Sequence, residues 1–191
     1  SGRAAFRGNL GDWPFRNQLG QFTAHIDLDD ATLDYNPEWP RIEHLRATAD
    51  FLNTSLHVVT SAGQTLGNKL ISGSADISDF AHAIIEIQLA GEGSGKTLLD
   101  FLHASPIGKR YAEQLRGVGI SGVGKLALQL HLPLGNDQGP RKLDGSVNIS
   151  DADLSASGPN LRLTQANGKV VFSERGFGID DMAVRYEDQP A

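Results

Sequence analysis

The sequence predicts a mainly β protein, built as one large antiparallel sheet with a single short helical insertion. Apolar and polar residues alternate along most of the chain, and this period of two is typical of strands that bury one face and expose the other. Hydrophobic residues are 39% of the 191 residues, and glycine occurs 22 times. This composition favours half-exposed strands over a dense helical core. The alternation gives way to a helical pattern only near residues 97–116.

A third observation is an internal similarity between residues 20–60 and residues 141–181. The two stretches align without a gap, so that Ile26 falls on Val147. Apolar positions coincide while the polar residues between them differ, as expected for a duplicated unit in which only the buried face is constrained. Two unrelated strands with alternating polarity can also align by chance. Coincidence of the apolar positions over four runs, without a gap, favours duplication.

The first long strand is predicted at Phe22–Leu28, where every second residue is apolar. After Asp29-Asp30 the apolar phase slips by one residue and continues at Ala31, which predicts a β-bulge. Pro37 and Pro40 then end the pattern, because proline has no N–H group to donate to a neighbouring strand.

Alternation resumes from Leu45 to Phe51, and again at Leu56 and Val58. We interpret Ser61-Ala62-Gly63-Gln64 as the hairpin turn that leads into a further strand, Thr65–Ser78. The next strand alternates from Ile85 to Leu89. After the helical insertion, leucines alternate with polar residues along 118–134, and the second copy of the repeat follows a polar loop.

Two helical stretches are predicted, at Thr97–Leu102 and at Ile107–Leu115. Ser105 followed by Pro106 is a favourable N-cap and first-turn pair, and Gly117 ends the pattern. Apolar residues in the second stretch recur at every fourth position, which gives it one apolar stripe. We therefore expect the helices to pack on the sheet or to plug its end, rather than to hold a cofactor.

Charge and composition narrow the function classes. The net charge is −6, whereas a nucleic-acid binder needs a basic face to neutralise phosphates. The absence of cysteine excludes disulfides and thiolate metal sites. No apolar run approaches the roughly 20 residues of a membrane span, and no signal peptide is visible. Because Ser1-Gly2 resembles the remnant of a removed tag, we expect one domain, 1–191, excised from a longer protein.

The glycine-rich stretch Ala90–Thr97 resembles a phosphate-binding loop in which alanine replaces the first glycine. In that interpretation Lys96 would reach the terminal phosphate of a nucleotide, and Thr97 would hold magnesium. The preceding strand alternates in polarity, however, whereas such a loop follows a parallel strand buried on both faces. No alternating β–α pattern follows it either. Nucleotide binding therefore stays a minor alternative to a plain glycine-rich turn.

The remaining motifs do not indicate a catalytic, cofactor-binding or metal-binding site. Gly117–Gly122 spells a dinucleotide-binding fingerprint, but it leads into a strand and offers no helix N terminus to a pyrophosphate. The six histidines show no spacing that would place two on one helix face, and we expect them to be solvated strand residues. Acidic pairs such as Asp29-Asp30 and Asp180-Asp181 fall at predicted strand bends. The sequence therefore predicts no catalytic residue, metal ligand or cofactor, and we expect the protein not to be an enzyme.

Short motifs spread over nearly the whole chain carry a family resemblance. They are Asp12-Trp13-Pro14-Phe15, Tyr35-Asn36-Pro37-Glu38-Trp39-Pro40, Phe101-Leu102 with Ser105-Pro106, Leu132-Pro133-Leu134 and Asn167-Gly168-Lys169-Val170-Val171-Phe172. Together they resemble the YhdP branch of the AsmA-like envelope protein family, whose members are similar to bridge-like lipid transfer proteins. The family offers no catalytic residues to carry over.

The resemblance implies a large protein of Gram-negative bacteria that extends through the periplasm. It implies an anchor in the inner membrane, formed by a segment outside this chain. It also implies a long, curved sheet that folds into an open, taco-like trough, whose apolar inside carries phospholipid to the outer membrane. The partners expected from it are phospholipid acyl chains and the rest of the parent chain.

Under this hypothesis the apolar strand faces line a groove. The groove candidates are Phe22, Ile26, Leu28, Ile85, Ile87, Leu89, Leu126, Leu128, Leu130, Val147 and Ile149. An acyl chain on such a face needs no specific polar contact, because each buried methylene contributes about 0.8 kcal/mol. The alternative is a structural or partner-binding β module, in which the same residues fill a packed core.

Overall fold

The protein is mainly β, and its strands form one antiparallel sheet. The computed structural model describes residues 1–135, 139–156, 161–186 and 189–190. The strands are β1 (Gly2–Arg7), β2 (Gln21–Leu33), β3 (Ile42–Leu52), β4 (Ser55–Thr65), β5 (Asn68–Ile77), β6 (Ile84–Ser94), β7 (Val118–Ile120), β8 (Val123–Pro133), β9 (Lys142–Ala156), β10 (Leu161–Ser173), β11 (Gly176–Tyr186) and β12 (Gln189–Pro190). The predicted fold class is confirmed.

The sheet is a meander in which nearly every strand lies beside its neighbour in the chain. Its order is β1 to β6, then β8 to β12, while the short β7 pairs with β9 off this path. The order does not close on itself, so β1 and β12 form two open edges. Apart from the passage from β6 through the helical insertion and β7 to β8, each connection joins adjacent antiparallel strands, which do not need a crossover.

Cross-strand register gathers the apolar residues on one side of the sheet. Residues directly opposite each other in an antiparallel sheet share a face. One row of such partners crosses seven strands and consists of Ile26, Ala49, Val58, Ala75, Ile87, Leu130 and Leu143. We call the side that carries this row the apolar face and the opposite side the outer face.

Bulges bend β2 and its neighbour in the middle. Asp30 has a φ of 56°, and the β2–β3 register shifts between Leu28 and Ala31. The bulge predicted from the phase slip after Asp29-Asp30 is therefore confirmed. A second positive φ, 52°, lies on β3 at His44. An extra residue on one strand increases the local twist and bends the strand.

The second predicted repeat has bulges at the equivalent positions. Asp151 (φ 49°) aligns with Asp30, and Gln165 (φ 51°) aligns with His44. Between the two bulges Ala152 pairs with Ala166, just as the aligned residues of the first copy pair with each other. The two stretches thus bend alike, and the origin of this likeness by duplication stays a prediction.

The hairpin turn predicted at 61–64 is wrong, because β4 continues through those residues to Thr65. The turn instead consists of Leu66 (φ 47°) and Gly67 (φ 78°), and two successive positive φ angles match the right-handed twist of a tight hairpin. Gly63 serves packing: a Cβ atom there would lie 3.0 Å from the Ile42 side chain.

The helical insertion consists of three short helices, α1 (Gly95–Ala104), α2 (Pro106–Arg110) and α3 (Ala112–Leu115). The predicted cap is confirmed, since the Ser105 hydroxyl oxygen accepts a hydrogen bond from the Gly108 N–H at 3.5 Å. The single helix predicted at 107–115 is wrong, because Tyr111, with φ −110° and ψ 25°, interrupts it. The strand predicted at 118–134 is also divided, by Gly122 with a φ of 80°.

Contacts of the insertion show that the sheet is curved. Lys109 reaches Glu38 in the β2–β3 loop, and Arg110 reaches Glu174 in the β10–β11 turn. Five strands separate β3 from β10, which corresponds to about 29 Å in a flat sheet. Adjacent Cα atoms are only about 3.8 Å apart, so two neighbouring side chains cannot span that width. The sheet must fold around the insertion as a trough.

The two ends of the strands form the two rims of this trough. The β2–β3 loop, the β4–β5 turn and the helical insertion join strands at one end, which we call the first rim. The β1–β2 loop, the β5–β6 connection and the β10–β11 turn lie at the other end, the second rim. The apolar face lies between the rims, under the insertion.

Candidate functional site

All eleven groove candidates lie on the apolar face. Their rows follow from register: Ile26 and Ile87 share one row with Leu130, while Leu28 and Leu89 share the next with Leu128. Of these residues only three are buried, Leu128 at 5% exposure, Leu130 at 9% and Ile149 at 6%. The others remain partly accessible, and Ile26 is 37% exposed. The protein thus covers the apolar face incompletely.

Glycines let helix α1 come close to the apolar face. A Cβ atom on Gly124 of β8 would lie 2.4 Å from the Leu98 side chain, and one on Gly93 of β6 would lie 2.9 Å from the Thr97 hydroxyl oxygen. Both glycines therefore provide space that any larger residue would fill. Gly93 and Gly124 thus serve helix-to-sheet packing.

A narrow apolar cavity remains between α1 and the sheet. Leu70, Leu89 and Leu126 contribute its floor, and Leu98 and Phe101 of α1 contribute its roof, with Tyr35 from the first rim at its side. Tyr35 is 48% exposed, yet burial raises the pKa of its hydroxyl to about 12. A phenol is neutral at physiological pH even without this shift, so Tyr35 adds no charge to the apolar cavity.

The phosphate-loop alternative is contradicted by the structure. Gly91 and Gly93 lie within β6, between the antiparallel strands β5 and β8, so they form no loop. Two N–H groups in the first turn of α1 already have partners: the Gly95 N–H donates to a backbone carbonyl, and the Thr97 N–H donates to the Ser94 hydroxyl. Lys96 contacts Asp100 of its own helix at 2.6 Å. These groups offer no cradle to a phosphate.

The dinucleotide fingerprint likewise has no helix behind it. Gly119 lies in β7, which pairs with β9, and Gly122 makes the turn into β8. A Cβ atom on Gly122 would lie 2.8 Å from the backbone of Ala152, so close chain packing accounts for this glycine.

The outer face carries a row of histidine–carboxylate pairs that the sequence did not reveal. Directly opposite residues on eight strands are Arg3, His25, Asp50, His57, Asp76, Glu86, His131 and Lys142. The Nδ1 atom of His25 lies 2.6 Å from an Asp50 carboxylate oxygen, and His57 and His131 contact Asp76 and Glu86 in the same way. These three histidines lie in strands and stay partly exposed, as predicted, but their carboxylate partners were not predicted. Register between strands far apart in sequence creates the row, so local spacing could not show it.

His25 lies between two carboxylates, since its Nε2 atom also contacts Asp27 at 3.0 Å. Hydrogen bonds to Asp50 and then to Asp27 raise the pKa of His25 above its usual value. Protonated His25 therefore stabilises the fold below about pH 6.5, and this contribution is lost as the pH rises through the raised pKa of the folded state.

We expect the melting temperature of the protein to fall as the pH rises from about 6.5 through the raised pKa of His25. His25→Gln should remove part of this decline, because glutamine does not titrate. Thermal melts from about pH 5.5 to about pH 8.5 check it, with His103→Gln, an exposed residue of α1, as the matched control. An undiminished pH dependence in His25→Gln would contradict the assignment.

Within the described ranges, no group of three or more histidine, aspartate or glutamate residues is arranged to hold a metal ion. In the same part of the chain, the helices are too short or too polar to span a membrane.

Comparisons with known proteins agree with the resemblance noted in the sequence. Residues 1–191 match the family model described as YhdP protein. The chain is similar to a curated protein of Escherichia coli (strain K12), the intermembrane phospholipid transporter YhdP. The two are 23% identical over 185 residues, which are 97% of this chain and 14% of that relative. No solved structure matches the chain.

Proposed function

The chain belongs to the YhdP protein family, and from this premise we propose that its groove carries the acyl chains of phospholipids. In this proposal the chain is one periplasmic segment of a protein that moves phospholipid between the inner and outer membranes. The chain spans about one seventh of the relative's length. The remainder of the parent protein then supplies the inner-membrane anchor and further lengths of groove.

The observation that carries the proposal is the uninterrupted apolar row across seven strands, from Ile26 to Leu143. Its direction runs across the strands, so that it follows the axis of the trough. An acyl chain along this row is held by contact area alone, at about 0.8 kcal/mol for each methylene removed from water. The headgroup stays in water at the mouth of the trough.

The groove residues support transport without chemistry. The eleven candidates are aliphatic or aromatic, and none of their side chains can donate or accept a proton. A surface of this kind binds hydrocarbon without regard to position, which lets a chain slide along it. We therefore infer a lipid conduit rather than an enzyme.

The arrangement of the sheet suits a segment within a longer groove. The edges at β1 and β12 are open, and an open edge presents unpaired backbone groups to a further strand. We propose that 20–60 and 141–181 are copies of one unit, and that addition of such units lengthens the groove along its axis.

A structural or partner-binding β module is the second candidate function. Leu128, Leu130 and Ile149 favour it, because they are already buried by the protein itself. In such a module the insertion would complete a packed core and would leave no path for hydrocarbon.

Photo-crosslinking distinguishes the two candidates. A photoreactive phenylalanine analogue at Leu126, on the apolar face, is expected to form adducts with radiolabelled phosphatidylethanolamine. The same analogue at Lys125, the neighbouring residue on the outer face, serves as the matched control and should form none. A packed module predicts no lipid adduct at either position, and that result would refute the transport proposal.

A further inference from the structure

The helical insertion crosses the mouth of the trough from rim to rim. It leaves β6 and returns to β7 at the first rim, and between these points it covers the floor formed by β6 and β8. We call residues 95–116, which comprise α1 to α3, the strap. An acyl chain that follows the apolar row must pass beneath the strap.

The strap is fastened to both rims by side chains at its middle. At the first rim, the Lys109 Nζ atom lies 3.2 Å from a Glu38 carboxylate oxygen. At the second rim, the Arg110 guanidinium donates to the Glu174 carbonyl oxygen at 3.0 Å. The strap, Glu38 and Glu174 belong to three chain segments far apart in sequence, so the strap acts as a clasp between the two rims.

Aromatic rings accompany each fastening. The Phe101 and Trp39 ring centroids lie 6.1 Å apart at the first rim. At the second rim, Tyr111 meets Phe177 edge to face, with centroids 4.8 Å apart. The ion pair beside the first pair of rings is well exposed, with 62% of the Lys109 side chain and 60% of the Glu38 side chain accessible. Exposed ion pairs of this kind add little stability. The contact between Lys109 and Glu38 can therefore break at little cost in free energy.

Some polar side-chain atoms buried beneath the strap have no hydrogen-bond partner among the described residues. The Asn68 amide group donates to the Thr65 and Thr97 carbonyl oxygens at 3.1 and 2.9 Å. Its own oxygen is buried and accepts no hydrogen bond from the described part of the chain, and the same is true of the Thr65 hydroxyl. Buried polar atoms left unpaired oppose the closed arrangement, because opening returns them to water.

The strap also has joints at which it can bend. Ser105 separates α1 from α2, and Tyr111 separates α2 from α3. Gly117, with a φ of 69°, leads from α3 into β7. Short rigid helices joined in this way can lift without unfolding the sheet below, because motions of this type change only a few backbone angles.

We propose that the strap is a lid which closes the groove when it is fastened to both rims and admits acyl chains when it lifts. This inference rests on the proposed function, since it concerns access to the same groove. In the closed form Leu98 and Phe101 occupy the space above Leu126. Hydrocarbon can take that space only after the strap moves away from the floor.

Chemical tethering of the strap tests the lid, and the chain has no cysteine to interfere. The test variant combines Glu38→Cys with Lys109→Cys, joined by a short bismaleimide that contains a reducible disulfide. The control variant combines Lys96→Cys with Asp100→Cys, which lie within α1 and tie the strap to neither rim. The readout is the uptake of fluorescent phosphatidylethanolamine from vesicles of phosphatidylethanolamine and phosphatidylglycerol.

The tethered test variant is expected to take up lipid at least about tenfold more slowly than the unmodified chain, because the open population is removed. Reduction of the tether should restore the rate, and the control variant should match the unmodified chain throughout. Glu38→Lys, which places like charges in contact, is expected to speed uptake about two- to fivefold. Equal uptake with and without the tether would overturn the lid. No uptake by the unmodified chain would instead overturn the proposed function, and the lid with it.

Discussion

Replacement of Ile87 by lysine is expected to abolish phospholipid retention while the protein stays folded. Ile87 lies in the middle of β6, opposite Ala75 and Leu130 on the apolar face. An ammonium group there would have to be desolvated against hydrocarbon, and an unpaired buried charge costs several kcal/mol. Ile87 is partly exposed, so without lipid the lysine can extend its charged end into the water of the groove.

Native mass spectrometry after incubation with phosphatidylethanolamine vesicles measures this retention. Gln88→Lys is the matched control, because it adds the same charge to the same strand, one residue further along and on the outer face. The control should retain lipid like the unmodified chain. A folded Ile87→Lys variant that keeps its lipid would show that acyl chains do not lie on this row.

The second large effect is expected for Phe15→Ala, which should lower the free energy of unfolding by about 3–5 kcal/mol. Phe15 is 1% exposed and fills the β1–β2 loop at the second rim. Its ring centroid lies 5.0 Å from that of Phe6 and 5.9 Å from that of Trp13. A Cβ atom on Gly20 would lie 2.2 Å from the Phe15 ring, so the loop is built closely around it.

Urea denaturation checks this value, and Phe80→Ala provides the comparison. Phe80 also belongs to an aromatic pair at the second rim, with Phe51 at 6.3 Å, but it is 45% exposed. Truncation there leaves no sealed cavity, so we expect a loss of only about 1 kcal/mol. Comparable losses for the two variants would mean that the β1–β2 loop does not depend on Phe15.

The strand positions follow from the sequence because their cause is local. A period of two requires only that one face is apolar, and a one-residue slip requires only an extra residue, so the bulge at Asp30 could be predicted. The turn at Leu66-Gly67 could not, because a leucine stands where positive φ normally selects glycine or asparagine. Gly63 misled the prediction since its purpose is contact with Ile42, on another strand.

The composition of the apolar face could be predicted, but its partial covering by the insertion could not. The eleven candidates share a face because alternation along each strand and hairpin register fix it. The clasp between Lys109 and Glu38 joins residues 71 positions apart, and no local pattern in the sequence pairs them. The outer-face contact of His131 with Glu86 spans 45 positions and was missed for the same reason.

The most direct test of the central claim is the mass of the unmodified chain under native conditions after exposure to phosphatidylethanolamine vesicles. If the partly uncovered apolar face holds acyl chains, a species heavier by one or more phospholipid molecules will be present, and it will lose that mass on collisional activation. A chain that keeps only its own mass at every lipid concentration would contradict the account.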